Sequence, residues 1–184
     1  MVPVSANGPT ELQYDDGSAE SGETCAAGPQ YSVKFSLPPG WTSARIVTAK
    51  YYIWLSPASF KAVIYDGDGT ELKSLVVTPT TTGWFDVPID PPVEVSGDFY
   101  IAIEWTTGYQ PLLGIDSTSP DSRSYWRVSP SQAWTLVKNR DYMIRAVVEQ
   151  VVAPIPEFSL TIPVATSLTA IIYLAIRKRI SRRE

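Results

Sequence analysis

The chain has 184 residues, 44% of them hydrophobic, 11% aromatic and only 18% charged, a balance that supports one folded domain with a tail and excludes an intrinsically disordered chain. It contains no histidine, which removes Ser-His-Asp and Cys-His catalysis and the commonest zinc ligand sets. Five of the 15 basic residues and one of the 19 acidic ones lie in the last eight positions, leaving the chain before them at −8 and those positions at +4; an acidic body excludes nucleic acid, whose phosphates need a basic face.

In chain order, residues 1–10 form an N-terminal extension in which "VPVSA" has the small-residue character of the end of a signal peptide. An acidic run follows, with Asp15, Asp16, Glu20 and Glu23 among glycines. Hard carboxylate oxygens at such spacing suit Ca²⁺, so Asp15, Asp16 and Glu20 are candidate metal ligands, with turn and capping roles as the alternative. Cys25, the single cysteine, cannot close an internal disulfide; with Glu23 as its nearest charge it reads as a packing or loop residue rather than a reactive thiolate.

From Gln30 the pattern becomes alternation. Tyr31, Val33, Phe35 and Leu37 point one way and Ser32, Lys34 and Ser36 the other, as in a half-buried strand. "ARIVTAKYYIWL" predicts a longer strand. "FKAVIYDGDGTELKSLVV" predicts two strands joined by a "DGDG" hairpin turn. "GWFDVPI", "DFYIAIEWTT", "PLLGID", "SRSYWRV", "AWTLVK" and "DYMIRAVVEQVV" continue the series, and in the most regular one Phe99, Ile101, Ile103 and Trp105 face inward. No stretch before Ala153 has helical periodicity over three turns, so residues 11–152 read as an all-β antiparallel sandwich of nine or ten strands, jelly-roll-like. Such a core calls for large rings, and at least four of the six tryptophans are expected inside it.

Among polar residues, Asp116, Arg123 and Arg145 are charges set among apolar neighbours. A buried charge needs a partner, so Asp116 is expected to pair with Arg123 or Arg145 and lock strands together. Glu104 with Asp116 is the carboxylate pair weighed for glycosidase chemistry, which needs a cleft at a set separation. Trp41 after "PPG", Tyr109 in "TGYQP" and Trp134 in "SQAW" fall in loops, where aromatic rings stack on sugars or cap the core.

"ELQYDDGSAE", "VEVSGDFYIAIEW", "LGIDS", "RSYW" and "YMIRAVV", in that order over residues 11 to 149, resemble an accessory β-sandwich found beside protease domains and in surface proteins of bacteria and archaea. The resemblance implies a non-catalytic module engaged in adhesion, presentation or carbohydrate contact, with a surface glycan or surface protein as partner.

The tail differs in kind. After a linker at 153–157, residues 158–176 run for 19 positions without a charge; as a helix they would extend roughly 28 Å, close to the ~30 Å hydrocarbon core. The segment is therefore expected to be one transmembrane helix, followed by a basic tail at 177–184. Arg177, Lys178, Arg179, Arg182 and Arg183 predict a cytoplasmic C-terminus and an extracellular N-terminal body. Pro156, Glu157 and Phe158, a hydrophobic span and a basic terminus together resemble the archaeal PEF-CTERM tail. That resemblance implies sorting to the cell surface by a membrane-embedded archaeosortase, with the helix either cleaved off or kept as a single-pass anchor.

Overall fold

The computed structural model describes residues 8–152; the expected sorting motif, transmembrane helix and basic tail lie outside them. One compact unit of the chain ends at Ala153. Among the described residues there are thirteen strands and no helix: β1 (Thr10–Leu12), β2 (Ser21–Glu23), β3 (Gln30–Phe35), β4 (Ala44–Leu55), β5 (Phe60–Asp66), β6 (Glu71–Val77), β7 (Gly83–Val95), β8 (Phe99–Trp105), β9 (Leu112–Asp116), β10 (Ser124–Arg127), β11 (Thr135–Val137), β12 (Asp141–Tyr142) and β13 (Ile144–Gln150).

They form two antiparallel sheets. The seven-stranded sheet runs β1-β13-β4-β9-β12, with β2 joined to β9 and β7 to β4; the six-stranded sheet runs β11-β10-β3-β8-β5-β6. Alternation sets the layers, because successive side chains leave a strand on opposite faces. Tyr31, Val33 and Phe35 of β3, Phe60, Ala62 and Ile64 of β5, and Phe99, Ile101, Ile103 and Trp105 of β8 supply one wall of the core. Ala49, Tyr51 and Ile53 of β4, Leu113 and Ile115 of β9, and Ile144, Ala146 and Val148 of β13 supply the other. Phe35 stacks on Phe99 at 5.3 Å between centroids, Tyr31 on Tyr142 at 4.7 Å, and Tyr51 meets Phe60 edge-on at 4.9 Å. The polar tips are satisfied inside: Tyr51 donates to the Ala102 carbonyl at 3.0 Å and the Trp105 indole to that of Pro111 at 2.8 Å.

The tryptophans depart from expectation. Trp105 alone of the six is fully buried, at 1% exposure; Trp41 is half-buried against the core margin, and Trp54 and Trp126 are exposed. The cause is parity. Tyr51 and Ile53 occupy the inward positions of β4, which turns Tyr52 and Trp54 outward; Trp84 is in register with Tyr52 and meets it edge-on at 5.4 Å. Phenylalanine, tyrosine and isoleucine fill most of the interior, and Trp54 and Trp84 are left on the outer face of the seven-stranded sheet.

Candidate functional site

Two constellations stand out, one on each sheet. The first gathers the acidic loop between β1 and β2 against the end of β9. Asp116, the last residue of β9, is buried. Its carboxylate accepts from the Asp16 amide at 2.7 Å and the Thr118 amide at 2.8 Å. Glu20 accepts from the Ser117 amide at 2.8 Å, while its own amide donates to the Ile115 carbonyl at 3.0 Å. The loop is thereby laced to β9, and Asp16, Glu20 and Asp116 bring three carboxylate oxygens within 4.8 Å of one another.

The Asp15 of the sequence reading is not in this group. It turns the other way, where its buried carboxylate takes a hydrogen bond from Arg145 Nε at 3.0 Å and a second from Nη2. Arg145 also reaches Glu11 at 2.9 Å and lies 4.1 Å over the Trp84 ring. The expected pairing of Asp116 with Arg123 or Arg145 is therefore corrected. Backbone amides satisfy Asp116; Arg145, near the start of β13, meets Asp15; and Arg123 donates to Ser36 Oγ at 2.9 Å with its guanidinium 5.0 Å over Tyr14. Asp141, cross-strand partner of Asp116, is buried too and accepts from the Asp121 amide at 2.8 Å. Burial first, then the charges of Asp121 and Asp116, push its carboxyl up to about 6.

The second constellation lies on the outer face of the six-stranded sheet. Tyr65, Tyr100, Tyr125 and Arg127 occupy outward positions of β5, β8 and β10. The segment after β10 folds back across that face and lays Trp134 over Tyr100, with centroids 5.4 Å apart and planes at 16°. Tyr65 meets the indole edge-on at 5.8 Å and Tyr125 meets Tyr100 at 5.6 Å. Arg127, only 4% exposed, sits 4.0 Å from the Trp134 ring centre and 4.5 Å from that of Tyr65. Its Nε donates to Gln30 Oε1 at 2.8 Å, and Gln30 in turn holds Glu104. Arg127 Nη2 and Trp134 Nε1 are buried donors without a hydrogen-bond partner among the described residues. Beside them opens a groove of about 440 Å³, bounded by Trp134 and the 130–133 segment on one side and Gly67, Asp68 and Gly69 of the β5–β6 turn on the other. That turn is fixed by Asp66, whose carboxylate accepts from the amides of Asp68 at 3.0 Å and Thr70 at 2.8 Å.

The three loop aromatics do not converge. Trp41 and Tyr109 follow β3 and β8, which are antiparallel, so their loops leave opposite ends of that pair; Tyr109 is 68% exposed and Trp41 packs on the core. Only Trp134 belongs to a groove described here. Glu104 and Asp116 lie on different sheets and bind different partners, Gln30 for one and backbone amides for the other, so they form no carboxylate pair. Sequence reasoning missed Tyr100, Tyr125 and Arg127 as a group. Their outward parity was readable strand by strand, but the pairing of β10 with β3, which brings them together, was not.

No family model matches the chain. It is similar to Bacillopeptidase F of Bacillus subtilis (strain 168), 29% identical over 171 residues, an alignment that covers 82% of this chain; the chain spans only 12% of that protein's length. It is similar in fold to a crystal structure of the cysteine protease and lectin-like domains of Cwp84, a surface layer associated protein of Clostridium difficile. The TM-score is 0.55 at 12% identity, covering 77% of this chain and 36% of that one.

Proposed function

We propose that this chain is a non-catalytic binding module that works outside the cell and makes carbohydrate contact through the outer face of its six-stranded sheet. The observation that carries this reading is the Trp134 groove: a half-buried indole laid across Tyr100 and Arg127, with Tyr125 beside it and two buried donors facing no acceptor. Saccharides are recognised by this combination, an apolar ring face for the C–H face of the sugar and a few fixed donors for its oxygens. The likeness to a structure that includes the lectin-like domain of a surface layer associated protein supports the reading. Bacillopeptidase F carries a peptidase's name, but the similarity takes in about an eighth of it, and a chain without histidine cannot assemble a Ser-His-Asp or Cys-His set.

In this reading the segment 158–176 holds the module at the membrane with its body outside, through the basic cluster from Arg177 to Arg183 and, with Pro156, Glu157 and Phe158, through an archaeosortase-like enzyme. Intact mass from native membranes tests it: loss of the chain from near Phe158 supports sorting, and a full-length mass supports a permanent anchor. The carboxylates of Asp16, Glu20 and Asp116 fit a hard divalent cation such as Ca²⁺, since all are oxygen donors and the backbone amides that orient them leave further lone pairs free.

Glycan-array binding tests the groove. Binding by the wild type that falls at least tenfold in Trp134→Ala and is unchanged in Tyr109→Ala is the expected result. Absence of binding with and without calcium would remove the carbohydrate reading and leave adhesion to a surface protein.

A further inference from the structure

We propose that the ligand of the Trp134 groove is a saccharide bearing a carboxylate, such as a uronic acid chain, with the carboxylate directed toward Arg127. This rests on the reading of the groove as the carbohydrate site and specifies the charge of what enters it.

The argument starts from Arg127 as a buried cation. No carboxylate among the described residues forms an ion pair with it. Its contacts are the Gln30 side-chain Oε1 at 2.8 Å, a long approach to the Gln132 backbone carbonyl at 3.5 Å, and the faces of two aromatic rings. Burying a guanidinium without a counter-ion is costly, and proteins ordinarily avoid it by pairing the charge. The sheet supplies only an indirect partner, Glu104, which reaches Arg127 through the Gln30 amide and is itself drawn toward Lys61 at 3.9 Å. One nitrogen of the fork, Nη2, is left without an acceptor, as is the neighbouring Trp134 Nε1.

Arg127 and Trp134, the residues that carry these two buried donors, both line the groove, and its lining holds one other charge, Asp68. The two do not cancel. Asp68 is exposed, so water screens it at an effective dielectric near 80, whereas Arg127 acts through protein at an effective value nearer 20 and is several times stronger at equal distance. An incoming carboxylate also matches a guanidinium fork geometrically. The open part of Trp134 and the edge of Tyr125 provide the apolar surface that distinguishes a sugar ring from a simple anion.

The deciding measurement is titration calorimetry of the whole chain in mild detergent with oligogalacturonate, oligoglucuronate and oligomannuronate, each beside its own methyl ester. The pairs have the same rings and linkages and differ only in charge. At least one acid is expected to bind tenfold or more tighter than its ester, and to weaken as salt rises. Ala133 is exposed and lines the groove, so its variants test the field without touching the fold: Ala133→Glu should weaken acid binding severalfold and Ala133→Lys should strengthen it, with ester binding unmoved by either. Arg127→Lys should narrow the acid-to-ester ratio, provided its melting curve matches the wild type.

Equal binding of acid and ester, both lost in Trp134→Ala, would overturn the charge assignment and leave the carbohydrate reading standing. Binding of neither, with neutral glycans also inert, would overturn both. Binding of an acidic peptide such as oligoglutamate in place of every saccharide would overturn the sugar and keep only the anion.

Discussion

Arg145 shows how a single half-buried charge settles its neighbours. It holds the buried Asp15 carboxylate and stacks on Trp84, so removing it leaves an uncompensated anion under the β1–β2 loop. Arg145→Met should cost about 3–5 kcal/mol. A double-mutant cycle in chemical denaturation should show strong coupling between Asp15 and Arg145 and none between Asp116 and Arg145. Coupling to Asp116 instead would contradict the ion pair described here. The sequence marked Arg145 as a charge in need of a partner, but neighbouring carboxylates in a loop are indistinguishable until the loop docks. Asp15 and Asp16 are adjacent, yet one faces Arg145 and the other Asp116. Asp141 gives a second residue-level expectation. Its folded carboxyl titrates near 6, above the ordinary 3.8, so between those values the folded chain keeps a proton that the unfolded chain has lost. Stability from this group is thus full below about pH 4 and falls as pH rises toward 6, by no more than about 2–3 kcal/mol. Melting curves of wild type and Asp141→Asn from pH 4 to 7 should diverge over that window, with the wild type losing ground as pH rises; parallel curves would count against a raised carboxyl.

Among the elements, the pairing of β2 with β9 depends on glycine in an unusual way. Gly22 and Gly114 are opposite each other in register, and each lies under a ring of β4. A Cβ at Gly22 would come within 2.4 Å of Trp54, and one at Gly114 within 2.7 Å of Tyr52. Gly114→Ala and Gly22→Ala should each destabilise by about 1–3 kcal/mol through overpacking, measured by urea unfolding, with Trp54 fluorescence changing in the Gly22 variant. Alternation made β3, β4, β5, β6 and β8 legible. It failed at β7, where the reading stopped at "GWFDVPI" but the strand runs on to Val95 through Pro91 and Pro92. Proline discourages a strand assignment, yet β7 pairs only with β4, and Pro91 and Pro92 fall in the irregular stretch between the Pro88–Thr48 and Val93–Ile46 pairs, where no ladder bond is asked of them. "DYMIRAVVEQVV" was likewise one strand in sequence and two in space. Asp141 and Tyr142 pair with β9, Ile144 onward pairs with β4, and Met143 bridges the handover with bonds to Gly114 and Tyr52 at 3.0 Å. Local periodicity records which side a residue faces, and not which partner strand it meets.

At the scale of the whole molecule, the antiparallel two-sheet arrangement followed from composition and turn spacing, while both candidate sites required long-range placement. The acidic site joins Asp16 to Asp116, a hundred positions apart, and so ties the first strands to the body. Calcium binding there should raise the melting temperature, by the equivalent of about 2.7 kcal/mol at a hundredfold excess over Kd. The rise should vanish in Asp116→Asn and with a chelator; a calcium-independent melting curve in the wild type would remove the cation from the reading. The groove has a different construction. None of its 130–134 wall belongs to the main core between the sheets, and Trp134 packs on Arg127 and on the small cluster of Val63, Tyr65, Tyr100 and Ala102 outside it. The 128–134 wall of the groove thus stands apart from the main core, while its floor is built on strands that also carry that core. Replacing residues 128–134 with loops of other length and composition would exchange one wall of the groove and leave the sandwich intact, which makes this sheet face a ready scaffold for selecting new binding specificities.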